Sequence, residues 1–366
     1  MSGRKMRKSA IIFVLAATIG GCAARPRQVD LVWPPAPEIP RIRYVRSIST
    51  LPDLERSGWT HFKDVMFGAE ASETLIKPYG VAVDSRGTLY VSDTGFGLVF
   101  VFNLATKGGA EKLSLIGMKK PGQLARPIGL AVDAHDNLYV SDALGKRVVV
   151  YGPDHEFLAA IGQEGGMERP AGIAVDNARQ RLYVVDVSTH SVKVYALDGR
   201  FLFSFGARGM EDGQFNFPTN VAVDKSGNIF VVDSMNNRVA IFDSEGRFVR
   251  KFGEAGAVSG SFARPKGIAL DSDGHVYVVD AAFDNVQIFS HDGQILLSFG
   301  EFGSGPGEFQ LPAGICIDKQ DAVFVTDQYN KRIQVFQYIK ETAGDSAPPV
   351  PNESHERQAE VGQGAK

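Results

Sequence analysis

The chain has 366 residues, of which 44% are hydrophobic and 22% charged, and its formal net charge is −3 at pH 7. This is the composition of a globular protein, and the length allows one large domain or two to three ordinary ones. An acidic balance argues against nucleic-acid binding, which needs a basic surface.

The N-terminus has the parts of a targeting signal. Four basic residues within the first eight precede an apolar run over 10–19, which is too short to span a bilayer comfortably. The run leads into IGGC (19–22), which resembles a bacterial lipobox. The resemblance implies a signal peptide over 1–21, lipidation of Cys22 and a lipid-anchored envelope protein. Ala23 after the cysteine favours the outer membrane, facing the periplasm. An ordinary signal peptide whose cleavage site adjoins a cysteine remains the alternative.

Removal of that signal would take away four basic residues and no acidic ones, so the net charge would become −7. Residues 22–40 are proline-rich, and we interpret them as a semi-stiff spacer from the membrane. If Cys22 is lipidated, Cys316 has no disulfide partner. Cys316 lies on an alternating pattern, which predicts a buried strand thiol.

One seven-residue motif, P-x-G-φ-A-V-D, recurs through the chain, where φ is an apolar residue. Successive prolines are 43 to 49 residues apart, which is a spacing typical of repeat architectures. The copies are PYGVAVD (78–84), PIGLAVD (127–133), PAGIAVD (170–176), PTNVAVD (218–224), PKGIALD (265–271) and PAGICID (312–318).

Each motif is followed by a second strand that ends in Asp, such as LYVSD (138–142), and then by two further strands. Strict alternation and short polar turns predict antiparallel hairpins. Six units of four strands predict an all-β, six-bladed β-propeller over 41–340. The sixth unit lacks its fourth strand, and RIRYVRSIST (41–50) has the pattern of one. We therefore predict that this N-terminal strand closes the ring, which leaves no open edge between the first and last blades.

The repeat resembles NHL repeats, a family of six-bladed propellers with P-x-G-φ-A-V-D and a later N-x-R-φ-x-V-F. Asn237-Arg238 and Asn330-Lys331-Arg332 match the later element, whereas the first blade departs from it. The resemblance covers about residues 41–338. It implies the fold but no chemistry, because such propellers serve as sensors, scaffolds and enzymes alike.

Two further segments stand apart from the repeat. The connection 51–77 is the longest, and its aromatic residues have roughly helical spacing, which predicts a short amphipathic helix. Trp59, Phe62 and Phe67 are therefore candidates for a lid over the channel, or they pack on the first blade. Residues 341–366 are polar and contain little to bury, so we predict a disordered tail.

The blade-to-blade loops are long and emerge on the same face as the residues that precede each motif proline. Four of those six residues are cationic, although the chain is acidic: Lys77, Arg126, Arg169 and Arg264. They predict a mouth that binds carboxylates, phosphates or acidic glycan groups. The alternative is that they pair with the blade aspartates or cap loops. Asn220 replaces the motif glycine in the fourth copy, either as a ligand-binding amide or because Asn tolerates backbone angles typical of Gly.

PTNVAVDKSGNIFVVDSMNNRV (218–239) resembles the peptidyl-hydroxyglycine amidating lyases, zinc enzymes that place His before such prolines. No His precedes the prolines here, and the histidines fall in turns and loops where we expect them to be solvated. Zinc requires several converging ligands. Lactonase-like propellers bind calcium through Glu, Asn and Asp, and Asn216 and Asn220 could contribute, but no Glu is clearly aimed at the same point.

These patterns favour a non-enzymatic, membrane-anchored binding, scaffold or sensor propeller without a cofactor, which contacts a protein or small acidic ligand through its long-loop face. A divalent-metal-dependent lyase or hydrolase with zinc or calcium at the channel mouth is the second hypothesis.

Overall fold

A computed structural model of the chain describes residues 30–49, 75–104 and 114–340. The predicted lipidation site Cys22, the lid candidates Trp59, Phe62 and Phe67, and the predicted tail over 341–366 all lie outside the described residues. These expectations therefore stay predictions. No helix of the described ranges is long and apolar enough to cross a membrane.

The first three blades are four-stranded antiparallel sheets. Blade 1 consists of β3 (Pro78–Val83), β4 (Thr88–Asp93), β5 (Leu98–Asn103) and β6 (Ser114–Ile116). Blade 2 consists of β7 (Pro127–Val132), β8 (Leu138–Asp142), β9 (Arg147–Tyr151) and β10 (Phe157–Ile161). Blade 3 consists of β11 (Pro170–Asp176), β12 (Arg181–Asp186), β13 (Ser191–Ala196) and β14 (Phe201–Phe205).

The next two blades repeat this arrangement. Blade 4 consists of β15 (Pro218–Val223), β16 (Ile229–Asp233), β17 (Arg238–Phe242) and β18 (Phe248–Phe252), with a 3-10 turn at Ser234–Asn236. Blade 5 consists of β19 (Pro265–Leu270), β20 (Val276–Asp280), β21 (Asn285–Phe289) and β22 (Ile295–Phe299). The loop after it contains a short parallel pair, β23 (Glu301–Phe302) and β24 (Glu308–Phe309).

Blade 6 is completed by the N-terminal part of the chain. Its strands are β25 (Pro312–Ile317), β26 (Ala322–Asp327), β27 (Arg332–Tyr338), β2 (Ile42–Ile48) and β1 (Val32–Trp33). Strand β2 pairs with β27 from Ile42 opposite Tyr338 to Ile48 opposite Ile333. The predicted closure by an N-terminal strand is confirmed. The chain is thus an all-β, six-bladed β-propeller.

The fifth strand of blade 6 differs from the sequence interpretation. Residues 22–40 were expected to form only a spacer, but β1 pairs with β2 and the Trp33 ring packs 5.9 Å from the rings of both Phe299 and Phe336. An indole is a large apolar surface, and the gap between the last two blades can bury it. The spacer therefore ends before β1.

Apolar side chains of adjacent blades interdigitate to form the core. Each described cluster draws its residues from two neighbouring blades, as expected for a ring in which no blade can bury both faces alone. One phenylalanine in each of the last three blade-to-blade loops is fully buried between blades: Phe215, Phe262 and Phe309. These loops are consequently anchored at their C-terminal ends.

The outer strands share an irregularity that protects the rim of the propeller. In β2, β10, β14, β18 and β22 the register shifts by one residue near the start of the strand. The residue left unpaired is apolar in all five strands: Val45, Leu158, Leu202, Val249 and Leu296. In β10, β14, β18 and β22, which are edge strands, such bulges twist the strand and make it a poor template for pairing with another chain, whereas β2 lies between β27 and β1.

Candidate ligand-binding site at the channel mouth

The first strands of the six blades form a closed ring around the axis, because each contacts the first strand of the next blade. Each is also the edge strand of its sheet, so one row of backbone N–H and C=O groups faces the axis without a strand partner. These strands line a central cavity with a volume of about 280 Å³. The cavity therefore offers backbone polar groups to water or to a ligand.

Close approach between neighbouring blades explains the glycine of the repeated motif. A Cβ atom at Gly80 would collide with the carbonyl oxygen of Ile128 in the next blade, and one at Gly314 would collide with the carbonyl oxygen of Tyr79. Neither these glycines nor Asn220 has a positive φ. The hypothesis that Asn220 substitutes for glycine because of unusual backbone angles is wrong, since no such angle is required.

At Asn220, the residue pairing between the first and second strands of blade 4 differs from that of the other blades. It pairs with Val232, whereas the pairing skips the glycine in the other five blades. Its side-chain Oδ1 accepts a hydrogen bond of 2.8 Å from the backbone N–H of Val221. Asn220 lines the central cavity, as predicted for a residue near the axis. Within the described ranges, Asn220 Nδ2 makes no hydrogen bond.

Hydroxyl groups join the inner strands on one side of the ring. Ser92 Oγ accepts a hydrogen bond from the N–H of Gly80 (2.8 Å) and donates one to the carbonyl of Ile128 (2.7 Å). Ser141 and Thr326 make the same bridge in blades 2 and 6. Blades 3, 4 and 5 carry valine at the equivalent position: Val185, Val232 and Val279. The ring is therefore chemically asymmetric.

The aspartate that ends each second strand holds the chain at the mouth. Each of these carboxylates is fully buried and accepts hydrogen bonds from the backbone N–H groups just before the motif proline. In blade 2, for example, Asp142 accepts from Ala125 (3.1 Å) and Arg126 (2.8 Å). The other carboxylates in this role are Asp93, Asp186, Asp233, Asp280 and Asp327.

The partners of these aspartates bear on whether the mouth cations pair with them. Four cationic residues at the mouth are exposed: Lys77, Arg126, Arg169 and Arg264. Among the described residues, no acidic group lies within ion-pair distance of their side chains. Within the described ranges no ion pair joins them to a blade aspartate; those carboxylates bind backbone N–H groups and, in blades 4 and 6, Arg238 and Arg332. Four cations thus project from equivalent points around the mouth.

The two residues before a motif proline that are not cationic have an unusual backbone conformation. Phe217 and Leu311 have φ of 51° and 52°. The N–H of Phe217 donates to His190 Nδ1 (3.1 Å), and that of Leu311 donates to Asp284 Oδ1 (2.7 Å). Of the six equivalent positions before the motif prolines, four therefore carry exposed cations and two have a positive φ.

Sequence reasoning missed two residues that meet near this mouth, Tyr79 and Lys266. Both occupy the variable position of the motif, and Lys266 Nζ lies 5.7 Å from the centroid of the Tyr79 ring. Burial raises the pKa of Tyr79, while the charges of Arg264, Arg169 and Arg126 act in the opposite direction. The Tyr79 side chain is thus within electrostatic reach of arginines from three other blades. No signal in a single copy of the motif indicates this convergence.

The later element of the repeat holds the long loops. Arg238 Nε donates to the buried carboxylate of Asp233 (2.9 Å), and its Nη2 donates to the carbonyls of Glu211 and Gln214 in the preceding loop. Arg332 does the same for the loop before blade 6. Bonds from a guanidinium to a buried carboxylate are strong, so these loops form a fixed frame around the mouth.

The histidines are more integrated than the sequence predicted. His190 is buried against Phe217, with 4.7 Å between ring centroids, and His291 Nε2 lies 3.0 Å from Asp224 Oδ2. His155 is half-buried next to Tyr90, and burial with the nearby charge of Arg86 lowers its pKa. The expectation of solvated turn histidines is wrong at these positions and holds at His135, which is exposed.

In the part of the chain that the structure describes, no group of three or more His, Cys, Asp and Glu side chains is placed to hold a metal ion. Cys316 is partly buried on β25, and burial raises the pKa of its thiol. It therefore has the environment of an unreactive structural cysteine.

Comparison with known families identifies the same repeat. Residues 226–283 and 270–345 match a family model described as a 6-bladed beta-propeller, and residues 167–195 match the NHL repeat. A stretch of 67 residues is 40% identical to the protein brain tumor of Drosophila melanogaster. This stretch is 18% of the chain and only 6% of that relative.

Solved structures show the fold. Virginiamycin B lyase from Staphylococcus aureus is 14% identical, with a TM-score of 0.54 over 72% of this chain and 96% of the lyase. A protein from Bacteroides thetaiotaomicron VPI-5482 is 18% identical, with a TM-score of 0.57 over 73% and 70% of the two chains. A chain of a nidogen/laminin complex is 18% identical, with a TM-score of 0.50 over 61% and 80%.

These findings define the class of protein. The chain is a six-bladed β-propeller with four-stranded antiparallel blades, and it contains an NHL repeat. The likeness to the solved structures is a likeness of fold, and that fold is compatible with a binding or scaffold role.

Proposed function

We propose that this protein is a lipid-anchored binding or scaffold module of the cell envelope that captures an acidic protein or a small acidic ligand at the mouth of its long-loop face. One observation carries the proposal: four exposed cations project from equivalent backbone positions around the mouth without acidic partners within the described residues. The chain as a whole is acidic, so this concentration of positive charge is local.

Gathering like charges at one mouth costs free energy, which a bound anion offsets. Like charges that surround one point repel one another, and Arg126, Arg169 and Arg264 all act electrostatically on Tyr79 while buried aspartates fix their backbone positions. An anion that enters the mouth removes this repulsion and gains bonds to guanidinium groups, which suit carboxylate and phosphate geometry. Complementary charge also speeds the encounter with an acidic partner.

A divalent-metal-dependent lyase or hydrolase remains the second candidate. Its support is the fold likeness to virginiamycin B lyase, which at 14% identity carries no residue roles to this chain. The binding proposal is supported by side chains of this chain and is therefore preferred. One of the compared structures is itself a protein–protein complex.

Charge reversal at the mouth tests the proposal. Replacing Arg126 and Arg169 together with Glu would change the four mouth cations to two cations and two anions. We expect binding of poly-L-glutamate, measured by biolayer interferometry at low salt, to weaken at least roughly tenfold, with a smaller salt dependence. The thermal unfolding midpoint should stay close to that of the wild type, because both side chains are exposed.

The matched control carries the same change in net charge on the opposite face. Arg200 and Lys319 are exposed residues in turns at the other end of the blades, and Arg200→Glu with Lys319→Glu should leave poly-L-glutamate binding nearly unchanged. Equal losses in both double variants would mean that the mouth has no special role.

The anchor is tested separately. In Cys22→Ser, metabolic labelling with a palmitate analogue should disappear and the protein should leave the membrane fraction, because no thiol would remain at the acylation site. Cys316→Ser should retain both labelling and membrane attachment. Persistent labelling of the Cys22→Ser protein would show that the lipobox interpretation is wrong.

A further inference from the structure

We propose that Lys266 and Tyr79 form the centre of the mouth and bind a small multivalent oxyanion, one that carries several carboxylate groups or a phosphate monoester. This inference rests on the proposed function and names the class of ligand that the mouth takes. It adds two residues from the variable motif position to the ring of four cations.

The geometry of Lys266 is that of a ligand-binding group rather than a structural one. Its backbone carbonyl is held by Thr219 Oγ1, which donates a hydrogen bond of 3.0 Å from the neighbouring blade. Its half-buried side chain extends over the Tyr79 ring, which belongs to a blade two positions further around the ring. The ammonium has no hydrogen bond or ion pair to any described residue.

Every charged side chain that acts on Lys266 is itself a cation. Arg264 and Lys77 are the groups whose charges bear on it, and Tyr79 contributes the face of a neutral ring. The aspartate that ends the second strand of its blade, Asp280, is bound to the backbone N–H groups of Ala263 (2.7 Å) and Arg264 (3.0 Å). Lys266 therefore occupies a partly desolvated place with no counter-ion among the residues that the structure describes.

The protonation state follows from this environment. Burial, and then the charges of Arg264 and Lys77, lower the pKa of Lys266 to about 8. Burial raises the pKa of Tyr79, so its hydroxyl stays protonated and can donate a hydrogen bond. A bound anion favours the charged ammonium, so anion binding and protonation of Lys266 strengthen each other.

The size of the site indicates a small ligand. Tyr79 lines the central cavity, which has a volume of about 280 Å³ and is otherwise walled by residues of the first strands of the blades. Arginines from blades 2, 3 and 5 all reach the Tyr79 side chain electrostatically. A compact ion with two or more negative charges can contact several of these cations together, whereas a singly charged group engages fewer of them.

The test is isothermal titration calorimetry on the full chain at constant ionic strength. Citrate serves as the polycarboxylate probe, glycerol 3-phosphate as the phosphate monoester probe and acetate as the monovalent control. Both multivalent probes are fully ionised above about pH 7.5. From there to about pH 9.5, at least one of them should bind the wild type more weakly by roughly tenfold, because Lys266 loses its charge.

Substitutions of Lys266 and Tyr79 distinguish the effect of charge on anion binding from the effect of side-chain structure. Lys266→Arg keeps a cation that does not titrate in this range, so binding should persist while the pH dependence disappears. Lys266→Gln should bind at all pH values about as weakly as the wild type does at high pH. Tyr79→Phe should weaken binding by severalfold without altering its pH dependence. An unchanged pH dependence in Lys266→Arg overturns the inference.

The outcomes distinguish this inference from the proposed function. If citrate and glycerol 3-phosphate both fail to bind while poly-L-glutamate still binds through Arg126 and Arg169, the central anion site is refuted and the acidic-partner proposal stands. Acetate binding as tightly as the multivalent probes also refutes it. If poly-L-glutamate fails as well, both proposals fall.

Discussion

A chain that begins at residue 50 instead of residue 30 is expected to lose most of its folding stability. The missing residues include β1 and β2, which supply the two outer strands of blade 6. We expect the shortened protein to aggregate or to unfold well below the temperature of the longer one, whereas the chain that begins at residue 30 retains every described strand of that blade.

The magnitude follows from what these strands bury. Ile42 and Ile48 are 0% and 3% exposed, and Trp33 packs against the last two blades. Full burial of such aliphatic side chains contributes about 1.5–3 kcal/mol each, and loss of a packed Trp costs about 3–5 kcal/mol. The sum is comparable with the total stability of an ordinary domain, about 5–15 kcal/mol. Loss of β2 would also leave β27 as an unprotected edge.

Point variants give the same test without truncation. Ile42→Ala should lower the free energy of unfolding by about 2–5 kcal/mol, measured by urea denaturation. Val45→Ala is its matched control, because Val45 lies on the bulge of the same strand and is 48% exposed, so its effect should stay within about 0.5 kcal/mol. Similar effects of the two substitutions would contradict the closure of the ring by this strand.

The architecture could be predicted because the motif repeats, so a strand that is missing from one copy can be recognised. Six copies of one motif specify six first strands, and the missing fourth strand of the last unit points to the pattern at 41–50. The strand at Val32–Trp33 could not be predicted in this way. It has two residues, it lies among prolines, and its pairing depends on a surface that exists only after the last two blades have packed.

The mouth was predictable only in part. The cations before the motif prolines occupy equivalent positions, so the repeat places them on one ring. Tyr79 and Lys266 occupy the variable position, where each side chain looks unremarkable within its own copy. Their proximity across the axis depends on the circular order of the blades and on side-chain reach. Sequence periodicity describes one blade at a time and does not carry that information.

The motif glycine gives the sharpest test of how the inner ring is packed. Gly80→Ala should lower the free energy of unfolding by roughly 3 kcal/mol, at the upper end of the usual cost of overpacking. The added Cβ would collide with the carbonyl oxygen of Ile128 and crowd Ser92 Oγ at 2.9 Å. It would therefore disturb the hydrogen bonds that join blades 1 and 2. Urea denaturation monitored by tyrosine and tryptophan fluorescence measures the change.

Asn220 supplies the control within the same ring. This position already accommodates a Cβ atom, because its backbone stays in the ladder opposite Val232. Asn220→Ala should therefore cost less than about 1 kcal/mol, chiefly through loss of the 2.8 Å bond to the Val221 N–H. If Gly80→Ala costs no more than Asn220→Ala, contact between blades is not what reserves the position for glycine. If the costs differ as expected, the amide of Asn220 occupies a place in the ring that stability does not require, which leaves its Nδ2 group available to a ligand in the channel.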